Sequence, residues 1–287
     1  MKRATTRLYP IQCATAAPDH NNECGNDSVI HAMAGQFGHA RILTGKKLVA
    51  VTGDYAGPYQ LTFEDGSTDS CEKLVLAVPY HLIRKIDFDP RIWSGFSSAK
   101  QLLNMQPADN GKLQLEFSSR SYARTRTING RDVEMSAVTY SGPDSYISTW
   151  EGDVKNPGEK GIILNDIGGC RGENLGDAVP GSGTPYHGVA HPADVQRLLG
   201  EFDKIWPGIS SEYRGKALVS NWWQNPWSQG AFISPVVGTM TSFWGAQLET
   251  EGNIFLAGEA CDTEYWSYMN GAIASGERAA RDIAQSV

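Results

Sequence analysis

At 287 residues and 40% hydrophobic, the chain can bury a large core, as one large domain or two smaller ones. Its net charge of -7, with no basic run, argues against a nucleic-acid or anionic-membrane partner, because phosphate surfaces attract Lys and Arg. Cys13, Cys24, Cys71, Cys170 and Cys261 are scattered, odd in number and never in CxxC spacing, and the histidines form no HExxH or HxH pair, so neither a disulfide framework nor a metal site is expected.

The opening MKRATTRLYPIQCATAAP has no apolar segment of signal-peptide length, and nothing later reaches a membrane span, so a cytoplasmic chain with no membrane partner is predicted. Residues 1–21 read as an N-terminal extension. In GNDSVIHAMAGQFG the apolar positions Val29, Ile30, Met33, Ala34 and Phe37 recur at helical spacing, with Asn26 or Asp27 to cap the start. Next come ARILTGKKLVAVTGD and PYQLTFEDGSTDSCEKLVLAVP, two β-rich runs with Asp-Gly turn chemistry and an apolar strand stopped by Pro79; they predict a small meander feeding a buried strand. From Tyr80 to about Val237 the reading is a mixed sheet with long loops. It includes the alternating stretch Lys112 to Phe117 and a helix from Ala193 to Trp206 stopped by Pro207. ENLGDAVPGSGTPYHG, rich in Gly, Pro and Ser, is predicted to be a mobile surface loop. At the end, Ile254 to Ala257 read as a strand, Gly258-Glu259 as a turn, and Gly271 to Ala284 as a helix with small residues on one face. Such a helix start lets backbone N–H groups approach an electron-rich ligand closely.

The block LAGEACDTEYWSYMNGAIASGERAARDI resembles the C-terminal flavin-binding signature of the monoamine oxidase, polyamine oxidase and L-amino acid oxidase family. GNDSVIHAMA, KLVAVTGD, EKLVLAVP, GKLQLEF and WWQNPWSQGAF resemble further segments of that family in the same order, so the likeness covers roughly residues 22 to 284. It implies an α+β, two-domain flavin amine oxidase fold, incomplete here: a partial FAD-binding domain over 22–86 and 239–287, and between them a substrate domain, 87–238, with a mixed β-sheet flanked by helices. No GxGxxG fingerprint follows any strand. A separate N-terminal FAD-binding polypeptide, or a homo-oligomer, is therefore the implied partner.

Carried over position by position, the resemblance gives Lys112 the water held against the flavin where its reduced form meets oxygen, and gives Phe232 and Tyr268 the aromatic walls beside the amine. Trp222, Trp227 and Trp266 complete the substrate pocket. Cofactor contacts fall on Val49, Val51, Pro79, Gly258, Glu259, Met269 and Ala272, with FAD noncovalent because Ala231 stands where some relatives carry a flavin-bonding cysteine. The implied reaction is oxidative deamination of a primary amine by O2 and water, giving aldehyde, ammonia and hydrogen peroxide. An L-amino acid oxidase subunit and a truncated, non-catalytic interaction module remain alternatives. Taken alone, Lys112 reads as a solvated strand lysine, Glu259 as a turn carboxylate, and Phe232, Trp227 and Tyr268 as core aromatics; the ordered series gives them their roles.

Overall fold

The computed structural model describes residues 27–37, 42–96, 105–140, 146, 148–152, 158–168, 175–242 and 244–286. The extension predicted at 1–21, the cap Asn26 and the thiols Cys13, Cys24 and Cys170 lie outside the described residues. The chain divides into two units between Lys47 and Leu48. In the first, α1 (Asp27–Phe37) is the expected helix, and its apolar Ile30 and Met33 are exposed.

The second unit opens with β1 (Leu48–Gly53), β2 (Tyr59–Phe63) and β3 (Thr68–Cys71), an antiparallel meander as the sequence predicted. The β2–β3 turn uses Gly66 at φ 80, a conformation that side-chain-bearing residues adopt only with strain. Then follow β4 (Leu74–Leu76), α2 (Tyr80–Ile83), β5 (Asp87–Phe88), which runs parallel to β1, and α3 (Pro90–Gly95). Next in the chain are β6 (Gln106–Pro107), β7 (Asn110–Phe117), β8 (Thr125–Ile128), β9 (Arg131–Glu134), β10 (Thr139–Tyr140), β11 (Ser148–Glu151), β12 (Gly161–Gly168) and β13 (His187–Val189). The chain ends with α4 (Pro192–Ile205), β14 (Tyr213–Asn221), β15 (Ile233–Ser234), α5 (Thr239–Ser242), β16 (Ile254–Leu256) and α6 (Met269–Gln285).

The largest sheet has the order β10-β11-β12-β7-β14-β13. The fold class stands as α+β, but this sheet is antiparallel at every pairing, not mixed. One-sided burial is the reason. Along β7, Leu113, Leu115 and Phe117 are buried while Lys112, Gln114 and Glu116 between them are half-buried, the alternation an antiparallel sheet tolerates and a parallel one, covered on both faces, does not. The buried face packs on α4 through Val195, Leu198, Leu199 and Phe202, with Trp206 closing the layer. Parallel pairing occurs instead around the meander, where β16 lies beside β4 and β5 beside β1. β16 is buried on both faces: Ile254 and Leu256 join the core of the meander, and Phe255 joins Ala279 and Ile283 of α6.

The loop predicted to be mobile is tied down over its described part, 175–188. Leu175 and Ala178 sit in the core, the Asn221 side-chain amide donates to the Leu175 carbonyl at 3.2 Å, and Thr184 bridges His187. Its composition offers little to bury, but two apolar residues and a cross-loop bridge suffice. No helix among the described residues is long and apolar enough to cross a membrane.

Candidate functional site

The end of β16 and the start of α6 are joined by a knot of hydrogen bonds. Gly258 sits at φ 128, and its N–H donates to the Ser275 hydroxyl at 3.0 Å while that hydroxyl donates to the Gly258 carbonyl at 2.8 Å. A Cβ at Gly258 would meet nothing within 4 Å, so open space lies over the turn. Arg278 of α6 reaches back to the carbonyls of Cys261 and Leu256, at 2.5 and 2.9 Å, and fixes the helix on the strand. Gly271 lets the helix start close in, since a Cβ there would run into the Tyr265 carbonyl and Asp262.

Glu259 is the polar centre of this knot. Its Oε1 accepts the Ile233 N–H at 3.0 Å, and its carbonyl accepts the Ser267 N–H at 3.1 Å. Oε2 is buried with no hydrogen-bond partner among the described residues, and burial raises the carboxyl pKa above the usual range, the Ile233 N–H opposing this in part. An acceptor left in that state costs about 1–3 kcal/mol unless a donor reaches it. Because Ser267 also donates to the Ile233 carbonyl at 3.3 Å, the knot draws Phe232 and Tyr268, the neighbours of Ile233 and Ser267, to the same end of the unit. Both rings stand in the open, Phe232 at 45% and Tyr268 at 71% exposure. Met269, the first residue of α6, is half exposed, and Ala272 is half-buried with its N–H bonded to the Tyr268 carbonyl at 3.2 Å.

The remaining aromatic candidates divide. Trp222 and Trp227 lie on the loop from β14 to β15 and are exposed, Trp227 at 63%. That loop is clamped by Gly230 N–H to the Trp222 carbonyl at 3.0 Å and by the His81 ring nitrogen Nε2 to the Ser228 carbonyl at 2.7 Å. Trp266 is turned inward, edge-on to Trp244 at 5.5 Å, with its indole N–H buried and without a partner among the described residues. Phe232 also lines a cavity of about 330 Å³ with Pro107, Asn110, Gly168 and Pro235.

Of the two valines, Val51 is fully buried and held on both edges of β1, opposite Leu61 and Phe88, with its carbonyl taken by the Asp89 N–H at 2.9 Å. Val49 falls at a bulge in the β1–β2 ladder, the place where a backbone group is released from pairing. Pro79 precedes α2 and accepts the Leu82 N–H at 2.8 Å. Lys112, on β7, is in contact with Asp166 of β12, and its ammonium lies 4.5 Å from the centre of the Trp150 ring. Sequence reasoning did not find these two partners. Nothing in the sequence ties Trp150 to Lys112, and Asp166 lies in an apolar run that gives no hint of which strand it will face. Among the described residues, no group of three or more His, Cys, Asp or Glu is placed to hold a metal ion.

A family model described as flavin containing amine oxidoreductase matches residues 13–284. The chain belongs to this family. A flavin-containing amine oxidase of Danio rerio is 34% identical over 214 residues, which are 73% of this chain and 37% of that protein. Flavin-containing amine oxidase A of Sus scrofa is 37% identical over 216 residues, 74% of this chain and 37% of the relative. The chain therefore spans little more than a third of the length of these curated relatives. Among solved structures, cyclohexylamine oxidase from Brevibacterium oxydans superposes with a TM-score of 0.72 at 18% identity, covering 91% of this chain and 53% of that one, and so shares its fold. Members of the flavin amine oxidase family are oxidoreductases, and FAD is the cofactor that membership implies. The residues present fit such a group. The unpartnered Glu259 Oε2, the open space over Gly258 and the first N–H groups of α6, which no helix carbonyl can reach, together offer an acceptor, a gap and donors at one place.

Proposed function

We propose that this chain forms the flavin-seating and amine-framing part of a flavin-dependent amine oxidase that acts on a primary amine. The dinucleotide-binding unit that this sequence lacks would come from another stretch of polypeptide. One observation carries the reading: a buried carboxylate, Glu259, with an oxygen awaiting a donor, stands beside an open glycine turn and a helix start, and the hydrogen bonds of that knot draw two exposed aromatic residues to it. When bound, FAD would supply the two-electron acceptor for oxidation of the amine to an imine, with O2 as final acceptor giving hydrogen peroxide, and water would hydrolyse the imine to aldehyde and ammonia.

The chain's own residues bind and orient. Glu259 would accept a hydrogen bond from the ribityl chain, and the Met269 end of α6 would meet the pyrimidine edge through its free backbone N–H groups and the positive end of the helix dipole, with Ala272, whose own N–H is taken by the Tyr268 carbonyl, lying one turn behind. Gly258 leaves room for that approach. Val49, at its bulge, is better placed than Val51 to offer backbone groups to the adenine end, with Pro79 following β4, the strand that pairs with β16 ahead of the turn. Phe232 and Tyr268 would hold a neutral amine between flat apolar faces at low entropic cost, with Trp222 and Trp227 supporting that wall and excluding water. Trp266, turned inward, would brace the seat from behind. The aromatic, weakly charged lining favours a primary aromatic or aliphatic amine over an L-amino acid, whose carboxylate calls for a basic partner.

The test is a visible-absorbance titration with FAD of the purified chain, alone and co-expressed with a dinucleotide-binding polypeptide of the family. Anaerobic addition of cyclohexylamine, an aromatic amine, a diamine and an L-amino acid follows. A bound-flavin spectrum that bleaches with one of the amines supports the proposal. Bleaching by the amino acid alone would shift the substrate class, and an unperturbed flavin in both formats would refute the flavin-seating role.

A further inference from the structure

Lys112 and Asp166 stand directly opposite each other in the β7–β12 ladder, and opposed residues of an antiparallel pair project from the same face. That face is the one turned away from the apolar core, where Gln114 and Glu116 also project. The pair Asn110 and Gly168 lies two residues nearer the strand ends on the same face, about 7 Å along the strand, and lines the cavity shared with Phe232. The ion pair thus belongs to the end of the sheet that carries the candidate site. Both side chains are largely covered, 25% exposed for Lys112 and 17% for Asp166.

The Lys112 ammonium has two supports here. Asp166 Oδ1 accepts from Nζ, and the Trp150 ring, two residues along β11 from Asp166's partner Ser148, lies under the charge. On the other flank Lys112 is in register with Ser220, whose hydroxyl is engaged by His187 Nδ1 at 2.8 Å. A flexible four-carbon stem is thereby anchored at its charged end, which a lysine on an open strand is not.

We propose that Asp166 is a positioning residue for Lys112, holding its ammonium at a fixed place beside the Phe232 cavity with the Trp150 ring as second support. The inference rests on the flavin reading above, in which Lys112 serves the reoxidation of reduced flavin. A merely structural cross-strand pair would contribute little and would be indifferent to which half of the reaction is measured.

The first test needs no flavin. The chain is acylated with an amine-reactive reagent, and labelling of each lysine is followed by peptide mass spectrometry in the wild type, Asp166→Asn, Asp166→Glu and Trp150→Leu. Lys112 should label about threefold faster in Asp166→Asn, with Lys216 unchanged and Asp166→Glu restoring part of the protection. An unchanged Lys112 rate overturns the proposal whether or not flavin binds. In the FAD-loaded protein, reoxidation of reduced flavin by oxygen should slow about tenfold in Asp166→Asn, while reduction by amine changes by less than about twofold. Asp166→Asn should add nothing to Lys112→Met. Equal slowing of both halves, or additive losses in the double variant, would overturn the positioning role. Failure of the wild type to take up FAD would count against the flavin reading alone, because the labelling result stands by itself.

Discussion

Glu259 is the residue at which stability and binding pull in opposite directions. Burial raises its carboxyl pKa above the ordinary 4.5, so the folded chain holds the proton more tightly than the unfolded chain. The sign follows: the stabilising contribution is complete below the unfolded value and is lost as pH rises through the folded one. His81 works the other way. Burial, the leading cause, lowers its pKa, so its contribution is complete above the ordinary 6.5 and is lost as pH falls. The Ser228 carbonyl can only accept, so Nε2 carries the ring proton in the neutral form. Urea melts of Glu259→Gln from about pH 4 to about pH 8 should lose the decline seen above the carboxylate range in the wild type and keep the one due to His81. The same variant should bind FAD about tenfold more weakly, since hydrogen bonds to charged groups contribute about 1.5–3 kcal/mol. Parallel pH curves with unchanged FAD affinity would show that the unpartnered oxygen has no bearing on the cofactor.

At the level of elements, α6 offers a matched pair of glycines. In an open helix position Gly→Ala gains about 1 kcal/mol, and Gly276, where an added Cβ meets nothing within 4 Å, should behave that way. Gly271 should not, because its added Cβ meets the Tyr265 backbone carbonyl, and overpacking of about 1–3 kcal/mol exceeds the helix gain. Chemical denaturation should therefore show Gly276→Ala stabilised and Gly271→Ala destabilised, and only Gly271→Ala should weaken FAD uptake by displacing the helix start. α6, β7 and α4 were legible in the sequence because each carries a local signal: small residues on one helix face, strict alternation, a helical run stopped by Pro207. The cofactor role proposed for Glu259 comes from the resemblance alone; taken by itself the residue reads as a turn carboxylate. The antiparallel order of the large sheet was not legible, since alternation at Lys112 to Phe117 fixes the face that is buried and says nothing of which strand lies alongside. Asp166 is 54 residues away from Lys112 in sequence, and only the β12–β7 register brings them together. The bulge at Val49 and the burial of Leu175 within a Gly-rich loop were hidden for the same reason: both depend on partners distant along the chain.

For the molecule as a whole, the distribution of aromatic side chains sets the strongest expectation. Trp222, Trp223, Trp227, Trp244, Phe232 and Tyr268 are all exposed, and α1 separately leaves Ile30 and Met33 uncovered. Soluble monomers seldom leave so much apolar surface open unless something binds there, whereas the large cores around Phe117 and around Tyr59 are closed. The chain also spans only 37% of its curated relatives' length, so a covering element from the dinucleotide-binding unit is the expected occupant under the proposed function. Sedimentation of the isolated chain should then show mass rising with concentration. Tryptophan emission should be red-shifted, because four indoles face water. Co-expression with the dinucleotide-binding polypeptide and FAD should give one 1:1 species, a blue shift and quenching by the flavin. Trp227→Ser should reduce self-association without changing the unfolding free energy by more than about a few tenths of a kcal/mol, because an exposed ring contributes little to its own core. A strictly monomeric chain whose emission is unmoved by partner and cofactor would mean that this aromatic face is closed by neither, and would remove the physical basis for assigning it to the substrate wall.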